Sequence, residues 1–171
     1  QLVRYQLNVG VGSLPDDGRF TQRLFLVADG DRGVDFASRS INVGINIRPS
    51  AVIGLAGAFR RSNGQADVDL GELRTGIAPV PLQLNILSTR AYTLGFRSLN
   101  GGKLRLSGTA WSIPYRILVG EQTLDVSSGA VISPRSTGTA RRDSLPLGID
   151  IGPVDNKRAG TYMDLLTISV A

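Results

Sequence analysis

The chain has 171 residues, 42% apolar, 19% charged and 6% aromatic, with 21 Gly, 8 Pro and a net charge of +5. It has no Cys and no His, which excludes disulfides, thiolate nucleophiles, Fe–S clusters, Cys-ligated zinc and the commonest general base. One ordinary domain of this length buries roughly 70% of the surface its unfolded chain exposes, so no cofactor or staple is needed to hold it.

The first predicted element lies at the N-terminus. Val3, Tyr5, Leu7, Val9 and Val11 alternate with Arg4, Gln6, Asn8 and Gly10, the period of a strand with one apolar face. Gly10, Gly12 and the three valines argue against a helix. A Gly-Ser-Leu-Pro-Asp-Asp-Gly stretch follows, and residues 13–40 read as a linker or an additional hairpin. Within them, the apolar Leu24 to Val27 runs towards an Asp29-Gly30-Asp31-Arg32-Gly33 turn.

Ile41, Val43, Ile45 and Ile47 then alternate with Asn42, Gly44, Asn46 and Arg48, up to Pro49, which cannot donate to a ladder. Short strands are predicted at Ala51 to Phe59, Ala66 to Leu70, Val80 to Leu87, Tyr92 to Arg97 and Lys103 to Leu106. More follow at Ile113 to Val119, Thr123 to Val126, Leu145 to Ile151 and Tyr162 to Val170. Residues 128–143, polar and rich in small side chains, read as a long connecting loop. Asn100-Gly101 is predicted to form a type I′ turn. Many short strands without amphipathic helices indicate an all-β sandwich or barrel, its sheets wet on one face.

No motif in this pattern carries catalysis. Gly71-Glu72-Leu73 and Asn100-Gly101-Gly102-Lys103 lack the glycine spacing and following helix of a phosphate loop. Asp67 and Asp69 read as the solvated face of a strand rather than a cation site. Glu121, Asp125, Asp143 and Asp150 supply carboxylates, but their spacing singles out no pair. Trp111 and Tyr115 share a strand face with Ile113, Ile117 and Val119, which favours the core over a sugar-stacking platform.

The arginines are scattered singly or in pairs, such as Arg60-Arg61 and Arg141-Arg142, without interleaved aromatics, so nucleic acid is not expected as a partner. No apolar run approaches the ~20 residues of a membrane span. A start at Gln1 fits either an artificial start or an exported protein whose signal peptide has been removed.

The two ends of the chain belong together in one reading. A final strand without a following partner leaves an apolar edge, while the alternating first segment is a detachable strand, and the pair invites association between chains. The ending Arg158-Ala159-Gly160-Thr161-Tyr162-Met163-Asp164-Leu165-Leu166-Thr167-Ile168-Ser169-Val170 resembles the closing motif of spore coat protein U domains and archaic chaperone–usher pilins. Ala91-Tyr92-Thr93-Leu94, Ser98-Leu99-Asn100-Gly101-Gly102-Lys103-Leu104 and Ile113-Pro114-Tyr115 resemble the middle of such subunits. The likeness covers roughly residues 41–171.

The resemblance implies an all-β, immunoglobulin-like antiparallel sandwich that is incomplete and completed by a donor strand from a neighbouring subunit. It divides the chain into a donor strand (1–12), a linker or extra hairpin (13–40) and the sandwich (41–171). Val3, Tyr5, Leu7, Val9 and Val11 would be the donor side chains. Ile41, Val43, Ile45 and Ile47 with Leu166, Ile168 and Val170 would line the acceptor groove, by strand addition between chains. Burying five such side chains is a gross gain on the order of 10 kcal/mol.

The implied partners are identical or related pilin subunits in a head-to-tail polymer, with a periplasmic chaperone and an outer-membrane usher during assembly. No cofactor, metal or enzymatic activity is implied. The implied function is a structural subunit of an extracellular fimbria supporting adhesion or biofilm. The alternative is a secreted binding module, for carbohydrate or as a tip adhesin. Two features depart from the family pattern: the absent cysteine pair and the long stretch before Ile41.

Overall fold

The structure, a computed structural model, describes residues 16–29, 35–134 and 141–171. The strands, in chain order, are β1 (Gly18–Asp29), β2 (Asp35–Ile47), β3 (Ala51–Gly57), β4 (Arg60–Ser62), β5 (Gln65–Asp67), β6 (Gly76–Ile77), β7 (Leu82–Ser88) and β8 (Leu94–Ser98). They continue with β9 (Lys103–Leu106), β10 (Ser112–Val119), β11 (Gln122–Leu124), β12 (Ala130–Ile132), β13 (Arg141–Ile151), β14 (Tyr162–Met163) and β15 (Leu166–Val170). All pairings are antiparallel, and no helix occurs among the described residues.

Two sheets enclose one core. The larger runs β14-β9-β10-β13-β7-β3, with β11 on β10 and β6 on β13; the smaller runs β12-β8-β15. Alternation decides which side chains enter. On β7, Leu82, Leu84, Ile86 and Ser88 are buried while Gln83, Asn85 and Leu87 are exposed. Ile113, Tyr115, Ile117 and Val119 of β10 and Leu94 and Phe96 of β8 complete the interior. The all-β antiparallel sandwich anticipated above is what the chain forms.

The strand order has a recognisable connectivity. An immunoglobulin-type sandwich places its A, B, E and D strands in one sheet and its C, F and G strands in the other. Here β3, β7, β13 and β10 stand as A, B, E and D, and β8 and β15 as C and F. Among the described residues, no strand takes the G position on the outer edge of β15.

Several local readings are corrected. The segment 128–143 is not one loop: β12 pairs with β8 (Ala130↔Phe96, Ile132↔Leu94), and β13 begins at Arg141. Ala130 and Ile132 pack on the core, a gain that the short run Ala130-Val131-Ile132 among small polar residues conceals in sequence. At Asn100-Gly101 the positive φ values belong to Gly101 (63°) and Gly102 (71°). The Asn-Gly turn with both residues left-handed is instead Asn63 (49°) and Gly64 (79°), between paired Ser62 and Gln65.

The stretch Tyr162 to Val170 is two strands, β14 on β9 in the larger sheet and β15 on β8 in the smaller. Ile41, Val43, Ile45 and Ile47 lie in β2, whose ladder is with β1 from Gly18↔Ile47 to Asp29↔Asp35, so both sides of residue 41 belong to one long hairpin. Val3, Tyr5, Leu7, Val9 and Val11 lie outside the described residues.

Candidate functional site

The candidate site is the cleft between the edges of the two sheets, where β3 approaches β15. Among the described residues, β3 is laddered only to β7 and β15 only to β8. Among the described residues, each therefore presents an unpaired row of backbone donors and acceptors on its other edge. Their inward side chains are Ile53 and Leu55 on β3 and Leu166, Ile168 and Val170 on β15. These pack against the core yet stay only half-buried, so the cleft has an apolar floor with backbone hydrogen-bonding edges beside it. Those are the two things an extended peptide requires.

The strand facing β15 is thus β3, and Ile53 and Leu55 stand where the sequence reading placed Ile41, Val43, Ile45 and Ile47. Sequence patterning offered the signal for β3, since Val52 to Ala56 is apolar, but Gly54 and Gly57 obscured its alternation. Leu166, Ile168 and Val170 are at the cleft, on β15.

Both ends of β3 are fixed. At its start, Ser50 N donates to Thr89 Oγ1 at 2.9 Å and Thr89 N to Ser50 O at 3.0 Å. Ser88 Oγ donates to the Arg90 carbonyl at 2.7 Å. At its end, Gly57 has φ 117°, and a Cβ there would lie 2.0 Å from the Pro81 carbonyl oxygen. Only glycine permits that approach, which Ala58 N uses to donate to Pro81 O at 3.0 Å.

β15 is fixed where the chain changes sheets. The Asp164 carboxylate accepts from Ser98 Oγ, from Tyr115 Oη at 2.7 Å and from Asn100 N at 2.9 Å. Gly102 N donates to Ser98 Oγ at 2.7 Å. Burial, and then the hydrogen bond to Asp164, raise the Tyr115 phenol well above the usual tyrosine range, so it remains a donor. The Asp of the closing motif therefore joins the end of β8 and the middle of β10 to the β14–β15 crossing.

A second, part-buried polar cluster ties β13 to the approach to β8. Asp143 accepts from Tyr92 Oη and from Arg141 Nε, and the Arg141 guanidinium lies 5.4 Å from the centre of the Tyr92 ring. Burial pushes Asp143 upwards, but the hydrogen bonds from Arg141 and Tyr92 and the Arg141 charge outweigh it and hold the carboxyl below its ordinary range.

The aromatic pair is separated. Tyr115 is in the core, whereas Trp111 lies ahead of β10 and is 42% exposed, which corrects its assignment to the core. It cannot stack a sugar together with Tyr115. Nearby is a shallow pocket lined by Asn100, Arg105, Leu106, Thr109 and Met163, among others. Asp67 is exposed in β5, and Asp69 accepts from Gly71 N at 2.9 Å in a turn beyond it. Among the described residues no group of three or more His, Cys, Asp or Glu could hold a metal ion, and no helix is long and apolar enough to cross a membrane.

Neither a protein-family model nor a curated protein matches the chain. Solved structures with similar folds exist. One is a chaperone–tip adhesin complex vital for synergistic activation of CFA/I fimbriae biogenesis: TM-score 0.49, 17% identity, over 91% of this chain and 53% of that one. Another is the CsuC–CsuE chaperone–tip adhesion subunit pre-assembly complex of the archaic chaperone–usher Csu pili of Acinetobacter baumannii: TM-score 0.42, 16% identity, over 84% of this chain and 47% of that one. This chain spans about half the length of the solved chains it matches.

Proposed function

We propose that the protein is a structural subunit of an extracellular fimbria, assembled by strand exchange, without catalytic activity. One observation carries this reading: the six strands of an A-B-E-D and C-F sandwich are in place, with the outer edge of β15 unpaired among the described residues beside a half-covered apolar floor. A seventh strand added there would complete both the ladder and the core. The chain contains a segment of the right character, in which Val3, Tyr5, Leu7, Val9 and Val11 alternate with polar residues and Gly10.

Donation of that segment to the next copy makes a head-to-tail contact that does not close on itself, and hence a filament. A periplasmic chaperone would occupy the same cleft before assembly, an outer-membrane usher would exchange the strands, and the filament would serve surface adhesion or biofilm. Deleting residues 1–12 is expected to abolish filaments in negative-stain electron microscopy while leaving a folded subunit. Filaments from the deleted chain would overturn the reading. Leu7→Asp, which would bury a charge in an apolar cleft, is expected to do the same.

The exposure of Trp111 supports a second reading, a binding module. Trp111 is the only tryptophan, so its fluorescence decides the matter: no shift on titration with glycans is expected for a shaft subunit, and a saturable shift favours the binding module.

A further inference from the structure

We infer that the apolar shelf beside the start of β15, formed by Leu99, Met163 and Leu165, receives Leu14 and Pro15 of the copy whose strand fills the cleft; the inference rests on the fimbrial reading above. The shelf lies at the β14–β15 crossing. Leu99 N donates to Leu165 O at 2.9 Å, and Asn100 Nδ2 to Met163 O at 3.2 Å, which holds the two segments together. Between Met163 and Leu165, the Asp164 carboxylate is turned inwards by its three donors. Its two neighbours are left facing outwards. Leu99 is 73%, Met163 57% and Leu165 44% exposed.

The direction of the chain identifies the occupant. β15 starts at the shelf, with Leu166 opposite Ser98, and finishes at the far end of the sandwich, where Thr93 and Ala171 exchange hydrogen bonds of 2.8 and 3.1 Å. Asp17 is held at that far end, beside the start of β3: its N donates to Thr89 O at 3.1 Å, and its carboxylate pairs with Arg90 at 3.4 Å. Residues 1–15, which lie outside the described residues, are thus tethered there.

The sheets of an immunoglobulin-type sandwich are antiparallel, as is every ladder described here. A strand added to the outer edge of β15 in that sense runs from the Ala171 end to the Leu166 end. Val11 then leaves the cleft beside Leu165. The six steps from Val11 to Asp17 reach at most roughly 21 Å. Within one copy they would have to run back, fully stretched, along β3, whose seven residues extend about 23 Å. A second copy, its Asp17 end abutting the shelf, needs no such return.

The connecting residues Gly12-Ser13-Leu14-Pro15-Asp16 of the donating copy therefore cross the shelf of the receiving one. Leu14 is the large apolar side chain among them, and the Pro15 ring restricts the backbone beside it, which lowers the entropy lost on docking. Apolar surface meets apolar surface where strand exchange brings two copies together.

The test uses filaments of the full chain, which has no cysteine of its own. Under mild oxidation, filaments carrying Leu14→Cys and Leu165→Cys are expected to give a ladder of covalent multimers on non-reducing gels. Leu14→Cys with Ala91→Cys, an exposed position at the opposite end, should give none. A ladder from the Ala91 pair alone, or from neither pair with filaments intact, would overturn the contact and leave strand exchange standing. Absence of filaments from the wild-type chain would remove the strand-exchange reading and this contact with it.

A second measurement needs no change at the shelf, because Met163 is the only methionine. Its oxidation to the sulfoxide by peroxide, followed by mass spectrometry, is expected to be about tenfold slower in wild-type filaments than in Leu7→Asp subunits. Leu14→Ser filaments should lose most of that protection. Equal rates in wild-type filaments and subunits would overturn the contact.

Discussion

β7 and β15 carry the same kind of sequence and meet different fates. Leu82-Gln83-Leu84-Asn85-Ile86 and Leu166-Thr167-Ile168-Ser169-Val170 alternate alike, yet Leu84 and Ile86 are each 1% exposed, whereas Leu166, Ile168 and Val170 are only half-buried. The neighbours differ. Among the described residues, β7 is laddered on both edges, to β3 and β13, and β15 on one, to β8. Periodicity tells which side chains face inwards. Whether anything covers them depends on the strand beside them, which for β15 is the strand we assign to another copy.

The largest effect that can break this comparison comes from trimming the two strands. Leu84→Ala is expected to cost about 2–5 kcal/mol, as for a fully buried leucine, whether or not the cleft is filled. Ile168→Ala should cost less in the subunit alone, because part of its side chain still meets water. Adding a peptide of residues 1–12 should raise the Ile168→Ala cost towards that of Leu84→Ala. Urea unfolding with and without peptide measures both. An Ile168→Ala cost unmoved by peptide would mean that the peptide does not lie against β15.

The fold was more legible than the site. Val80 to Leu87 and Ile113 to Val119 were legible as strands and form β7 and β10, because two-sided pairing and burial preserve the period of two. β3 was legible as a strand within Ala51 to Phe59 but not as the wall facing β15, since Gly54 and Gly57 interrupt its alternation and the demand for Gly57 arises from the remote Pro81 carbonyl. Ile41 to Ile47 alternates more cleanly than β3 and so drew the assignment of first sandwich strand, although its partner is Phe20 to Leu24 in a hairpin. Alternation cannot distinguish a strand of the sandwich from one in a ribbon outside it. Nothing in the sequence assigned a role to Asp164, because its three donors come from residues 98 to 115 and converge only in the folded chain.

Asp164 sharpens the comparison from the other edge of β15. If that strand is exposed for want of a partner and not because it is loose, its inner edge is rigid and Asp164 is what fixes its start. Asp164→Ala leaves the buried Tyr115 hydroxyl and Ser98 without their acceptor, at a cost of about 2–3 kcal/mol. Hydrogen exchange should then accelerate at the β15 amides that bond to β8, with β7 changing least. Uniform acceleration across both strands would show that Asp164 supports the whole core and not the crossing.

The smallest effect concerns pH and separates apolar from ionic contributions. Asp143 is held below its ordinary range in the folded protein, with burial opposing and Arg141 and Tyr92 prevailing. A carboxyl depressed by folding contributes stability that is present above its unfolded value of about 3.9 and lost as pH falls through the folded value. Asp143→Asn is therefore expected to be less stable than the parent at neutral pH, with the gap closing as the solution is acidified below about pH 4. The Ile168→Ala deficit, being apolar, should stay constant over the same range. Denaturant midpoints of the three proteins at several pH values make the check. A gap at Asp143 that persisted in acid would assign its contribution to the shape of the cluster and not to its charge, leaving the Tyr92 and Arg141 contacts as packing alone.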